Sequence, residues 1–245
     1  MKKHIIGAIM LTVVMFVAGT AFAQGERKAF GKTYGEWSAD WWQWALEMPA
    51  THHPLFDTAD CSNRQSGHVW FLGGKFCAAT SQIGCSSPGT VTAERSCTIG
   101  PETALFFPIL NGEDSYVEEL AGTSEQTLRT NIKSWTDPSP NFMITASVDG
   151  WPLHPVRICT SGTFCSPEQS PLFFFRLPHH DNLMAAIGET WVPDGALSAG
   201  VSDGYYVLLP PLPVGHHTIF FYGRNGGFSL DITYHITVRH ESWER

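Results

Sequence analysis

Histidine is the residue type with the most chemical promise here. Of the 11 in the chain, six form adjacent pairs, His52-His53, His179-His180 and His216-His217, and His235 sits near the C-terminus. Two imidazoles and a carboxylate on neighbouring strands can bind a divalent metal, because neutral imidazole nitrogen and carboxylate oxygen are its usual donors. His217, Asp231 and His235 are the candidate ligands, on the expectation that a hairpin brings His217 onto the polar face that holds the other two. That expectation hangs on register, since a one-residue slip sends His217 to the opposite face. No HxH or HExxH spacing supports it, and a hydrogen-bonded polar sheet face accounts for the same residues.

Carboxylates offer two further candidates. Glu36, Asp40 and Glu47 form an acidic arc that can attract a cation, although any amphipathic helix shows such an arc opposite its apolar face. Asn111-Gly112-Glu113-Asp114 followed by Glu118 offers oxygen ligands for calcium. It lacks the alternation of an EF-hand loop, and a turn plus a helix cap explains it as well. Trp151, Trp191, Tyr205 and Tyr206, with Trp243, are candidates for an aromatic ligand-binding platform, against the ordinary reading that most aromatic residues are core. There is no GxSxG elbow for a nucleophilic serine.

The element that must organise these residues is Tyr34 to Met48, YGEWSADWWQWALEM. At 100° per residue Trp37, Trp41, Trp44 and Met48 share a narrow arc, so the spacing predicts a helix lying against a sheet. Thr33 with Glu36 reads as a capping box and Pro49 as the stop. Strands are expected at 68–72, 104–110 with Pro108 marking an edge or bulge, 142–148, 156–159, 172–176 as a central strand, and 205–209. Residues 78–95 read as a surface excursion. Short helices are expected after Ser115 and after Ser124, the second with Leu128, Ile132 and Trp135 on one face. His216–Tyr222 and Phe228–Val238 form a hairpin joined by GRNGG, and the last strand alternates cleanly between apolar and polar.

The chain ends bound the setting. Residues 1–23 read as a secretory signal peptide: Lys2 and Lys3, an apolar run, then Ala21-Phe22-Ala23. No later apolar run is long enough to span a bilayer. Residues 24–245 then form one domain, exported to the periplasm or beyond. Its basic residues fall from 15 to 13 against 23 acids, which argues against nucleic acid and anionic membrane as partners. All six cysteines follow residue 23, and an even count in an oxidising compartment points to disulfides. Proximity suggests Cys77 with Cys85 and Cys159 with Cys165, leaving Cys61 with Cys97.

The phrases GKTYGEWSADWWQWAL, GHVWFLGG, ALFFPILN, SDGYYVLLPPLPVGHHTIFF and FSLDITYHITV resemble those of an uncharacterised family of exported bacterial proteins. The resemblance implies a shared β-sandwich-like fold and brings no activity, cofactor or catalytic residue. The Cys77–Cys85 loop looks like an addition to the common pattern. The expectation is therefore an α+β, mainly β protein, an antiparallel sandwich or jelly roll with the Trp-rich helix packed on it. Three functions are in play: a binding or envelope-associated module that recognises glycan or an envelope protein, a metal-dependent extracytoplasmic enzyme using His217, Asp231 and His235, and a structural or assembly component.

Overall fold

A computed structural model describes residues 28–78, 89–158 and 169–240. Helix α1 spans Tyr34–Leu46 and starts as its sequence dictates. Thr33 Oγ1 accepts from the Glu36 amide at 3.1 Å, and the Glu36 carboxylate accepts from the Thr33 amide at 2.7 Å. Two otherwise unpaired amides of the first turn are thereby satisfied. Trp41, Trp42 and Trp44 are buried and Trp37 is half-buried. The Trp41 indole also donates to the Leu72 carbonyl at 2.7 Å. Burying one such ring is worth on the order of 4 kcal/mol relative to leaving it in water.

Among the described residues ten strands form two five-stranded sheets. The first contains β1 (Val69–Phe71), β3 (Ala104–Ser115), β8 (Leu197–Leu209) and β6 (Val156–Ile158) in the order β1-β3-β8-β6, with β7 (Phe173–Arg176) also paired to β8. The second runs β2-β10-β9-β4-β5, from β2 (Thr90–Ile99), β10 (Phe228–Val238) and β9 (Gly215–Asn225) to β4 (Met143–Val148) and β5 (Trp151–Leu153). One apolar layer lies between the sheets, with Leu105, Phe107 and Ile109 meeting Phe221, Ile232 and Ile236. A second layer packs α1 on the other face of the first sheet, around Phe106, Phe175 and Tyr206. Helix α2 (Glu125–Thr136) covers the far end of that sheet, where Leu128 and Ile132 meet Val201. The short helix α3 (Leu183–Ile187) packs beside α1.

The mainly β, sandwich-like fold is as the sequence predicts, but the sheets are mixed rather than antiparallel throughout. β1 pairs with β3 and β2 with β10 in parallel. The chain leaves the first sheet after β1, forms β2 in the second and returns as β3, and this round trip permits a parallel pair.

Four local expectations need correction. Residues 90–95 lie in strand β2, because the Ser- and Thr-rich run TVTAERSCTI alternates exposed Thr90, Thr92 and Glu94 with the inward Val91, Ala93 and Arg95. At Pro108, which the sequence marks as an edge or a bulge, the internal strand β3 has the bulge as expected, a register shift between Pro108 and Leu110. The helix expected after Ser115 is absent: β3 runs through Ser115, and the Ser115 hydroxyl donates to the Glu118 carboxylate within a turn. Trp135 is exposed, since Leu128, Ile132 and Thr136 define the buried face of α2. Among the described residues β7 pairs on one side only, with β8.

Cys61 and Cys97 form the predicted disulfide, with 5.8 Å between their Cα atoms. Cys77 is also disulfide-bonded. Cys85, Cys159, Cys165 and Trp243, like the segment read as a signal peptide, lie outside the described residues.

Candidate functional site

The turn before α1 builds one wall of a groove. Phe30 and Gly31 both adopt left-handed backbone, with φ of 53° and 86°, and Ala29 and Lys32 exchange two backbone hydrogen bonds. A bulky residue in that conformation costs on the order of 1 kcal/mol. The Trp37 indole N–H donates to the Ala29 carbonyl at 2.8 Å, tying the turn to the helix. Lys32 is thereby carried over α1. Its ammonium lies 5.1 Å from the Trp37 ring centroid and pairs with the Asp40 carboxylate.

The opposite wall comes from residues 64–71. Arg64 has φ of 54° and donates to the Glu47 carbonyl. Gln65 clamps the segment to β1: its amide nitrogen donates to the Phe71 carbonyl at 2.7 Å, and its amide oxygen accepts from the Phe71 N–H at 2.8 Å. Between the walls is a cavity of about 630 Å³. Its floor is aromatic: Phe71 meets Trp37 at 6.4 Å and Trp44 at 5.7 Å between ring centroids, both pairs tilted steeply. Asp40 and Gln43 line it from the polar arc of α1, while Arg64, His68 and Glu102 line it from the far side. Flat apolar rings beneath carboxylate, amide, guanidinium and imidazole groups can stack on an apolar face of a ligand and hydrogen-bond its edges.

The residues singled out by sequence are distributed otherwise. Directly opposed residues of an antiparallel pair share a face. His217 lies opposite Ile236, whereas His235 lies opposite Thr218 and Asp231 opposite Tyr222. His217 is therefore on the other face from Asp231 and His235, and its neighbour His216 shares theirs. His217 bonds Asp149 at 2.7 Å and the Pro213 carbonyl at 2.8 Å, while His235 bonds Glu94 at 2.7 Å. Hydrogen bonding to Asp149 is the main reason the His217 pKa is raised. Among the described residues no group of three His, Cys, Asp or Glu side chains can hold a metal ion.

The four aromatic candidates do not form one platform. Tyr206 is fully buried and stacks on Phe106 at 5.1 Å, with its hydroxyl accepting from Ser38. Tyr205 is half-buried beneath the Arg157 guanidinium, 5.5 Å from its ring. Trp151 and Trp191 are exposed, Trp151 on β5 of the second sheet and Trp191 in the chain between α3 and β8. Of the acidic arc, Asp40 alone lines the groove. Sequence reading misses the aromatic floor because Trp37 and Trp44 look like core, which in part they are. Gly31 beside Thr33 is the local signal for a tight turn into the helix.

The carboxyls at the end of β3 form a second concentration of polar groups. Burial drives Glu113 well above the ordinary carboxyl range, and the adjacent Glu118, Asp114 and Glu189 push it further. Glu118, which accepts a hydrogen bond from Glu113, is raised to about 7, chiefly by burial. Asp114 is raised by burial to about 6. Burial thus favours the neutral acid form of Glu113. Gly200 leaves the space it fills, since a Cβ there would lie 3.1 Å from Glu113 Oε2.

No protein-family model matches the sequence, and no curated protein matches it.

Proposed function

We propose that this chain is an exported binding protein whose ligand is a glycan seated in the groove between α1 and residues 64–71. The observation that carries the reading is the aromatic floor of Trp37, Trp44 and Phe71 under Asp40, Gln43, Arg64, His68 and Glu102. A pyranose presents C–H faces that suit indole and phenyl rings, and a rim of hydroxyls that suits planar polar side chains. The signal-like N-terminus and the Cys61–Cys97 disulfide support a place outside the cytoplasm.

Calorimetric titration with soluble oligosaccharides from bacterial and plant cell walls tests this. Asp40→Asn, Gln43→Ala and His68→Ala alter half-buried or exposed side chains. Each is expected to weaken binding about tenfold while leaving Tm within a few degrees, the loss of about 1.4 kcal/mol being what one or two hydrogen bonds to a ligand contribute. Binding that is indifferent to all three substitutions sinks the assignment.

One observation favours a second reading, that of an assembly component meeting an envelope protein. Among the described residues no helix packs on the outer face of the second sheet, and Trp151 at its β5 edge is 75 % exposed. Sedimentation analysis showing a monomer indifferent to a Trp151→Ser change, alongside glycan binding, disposes of it.

A further inference from the structure

A positive charge already occupies the groove, and it belongs to the protein. The Lys32 ammonium sits between the face of Trp37 and the carboxylate of Asp40, and all three residues line the cavity. An aromatic face beside a carboxylate is the arrangement that holds an ammonium ion. The placement is built rather than incidental: the left-handed Phe30-Gly31 turn and the Trp37–Ala29 hydrogen bond aim residue 32 at that point.

The two halves of this contact differ in mobility. Trp37 is fixed by its indole hydrogen bond and by packing against Phe71 and Phe106. Asp40 is on the second turn of α1. Lys32, by contrast, is a long chain whose side chain is 43 % exposed, so it can swing into water at little cost. The other charges facing the position are Glu36, which pairs loosely with Lys28 at 3.9 Å, and Arg64 and Glu102 across the groove. Once Lys32 leaves, Asp40 and Glu102 outweigh Arg64, and the lining attracts a cation.

We propose that the Trp37–Asp40 position is an ammonium subsite, filled by Lys32 in the free protein and taken, when Lys32 swings away, by the protonated amine of an amino-sugar unit in the bound glycan. The sugar half of this inference rests on the glycan reading above; the ammonium half does not. Lys32 then acts as an internal competitor that sets a threshold, so an amine-bearing glycan gains from the subsite an ion pair that a neutral one lacks.

Three probes separate the possibilities: an oligomer of glucosamine, its N-acetylated counterpart, and choline. Each is titrated by calorimetry into the wild type, Lys32→Met and Asp40→Asn, with thermal melts to verify folding. Lys32→Met is expected to tighten glucosamine oligomer and choline binding about fivefold, the most an exposed ion pair usually withholds, and to leave the N-acetylated oligomer within about twofold. Asp40→Asn is expected to abolish the preference for the amine. Equal response of the two oligomers to Lys32→Met, with choline unbound, overturns the subsite while leaving the glycan groove standing. Choline binding to Lys32→Met without either oligomer keeps the ammonium site and removes the sugar. No binding of any probe to any variant overturns both.

Discussion

His53 shows how burial sets a protonation state. The side chain is fully buried, its Nδ1 accepts from the Leu55 N–H at 3.0 Å, and its Nε2 faces the Ala45 carbonyl at 3.1 Å. Nε2 therefore carries the proton and the ring is neutral. Burial lowers its pKa to about 4, with nearby Arg95 pushing the same way. The folded state holds fewer protons than the unfolded one between the two values, so this contribution is complete above about pH 6.5 and is lost as pH falls towards 4. It amounts to about 3 kcal/mol. A proton-resolved NMR titration should find His53 unprotonated at pH 5, where His217, its pKa raised by the hydrogen bond to Asp149, is charged. Glu113 and Glu118 act in the opposite sense. Their folded pKa values lie above 4.5, so their contribution is complete below that value and is lost as pH rises, through about 7 for Glu118 and through the raised value of Glu113. Glu113→Gln should raise Tm at pH 9 by about 3–6 °C and change it little at pH 4.5. A wild-type Tm that does not fall between pH 6 and 9 contradicts this account.

At the scale of elements, α1 is anchored at its start, along its apolar face and beneath it. Thr33→Ala removes the cap that accepts from the Glu36 amide, and should cost about 1 kcal/mol in urea unfolding. Because Thr33 follows Lys32 directly, the same change should also loosen the groove wall and weaken ligand binding. Strands β3 and β8 leave no room for a side chain at Gly204, where a Cβ would lie 2.5 Å from the Leu110 carbonyl oxygen, and where φ is 154°. Gly204→Ala has no flexible neighbour to displace, so β3 must shift. The expected cost is about 2–3 kcal/mol in urea unfolding, with the urea m-value unchanged.

Across the whole molecule the groove wall is joined to the opposite sheet. The Cys61–Cys97 bridge links the segment just before Arg64 to β2, 36 positions away in sequence. Alongside it, Arg95 of β2 donates to Asp57 at 2.6 Å, to the Gly74 carbonyl at 2.8 Å and to the Tyr234 hydroxyl at 2.7 Å. Replacing both cysteines by alanine should cost about 3–4 kcal/mol of unfolding free energy. Ligand affinity should fall as well, because the Arg64–His68 wall loses its tie to the second sheet. Affinity that survives reduction intact would place the ligand elsewhere.

Much of this protein follows from local sequence. Thr33, Glu36 and Pro49 bound α1, the indole spacing commits it to a buried face, and alternation from Phe228 to Val238 makes an amphipathic strand, because caps and periodicity act over a few residues. The Cys61–Cys97 link was reachable from proximity among the other four cysteines. What tertiary structure decided is where separated pieces meet. Alternation assigns two faces to β10 but not which neighbour of the His216-His217 pair shares a face with His235. The β9–β10 register settles that in favour of His216, and the expected trio of His217, Asp231 and His235 never assembles. The groove is likewise invisible along the chain, since Lys32, Trp37, Arg64, Phe71 and Glu102 come from four segments. They meet only because β1 pairs with β3, Gln65 pins its loop to β1, and α1 packs across the sheet, a set of non-local contacts that no short-range pattern encodes.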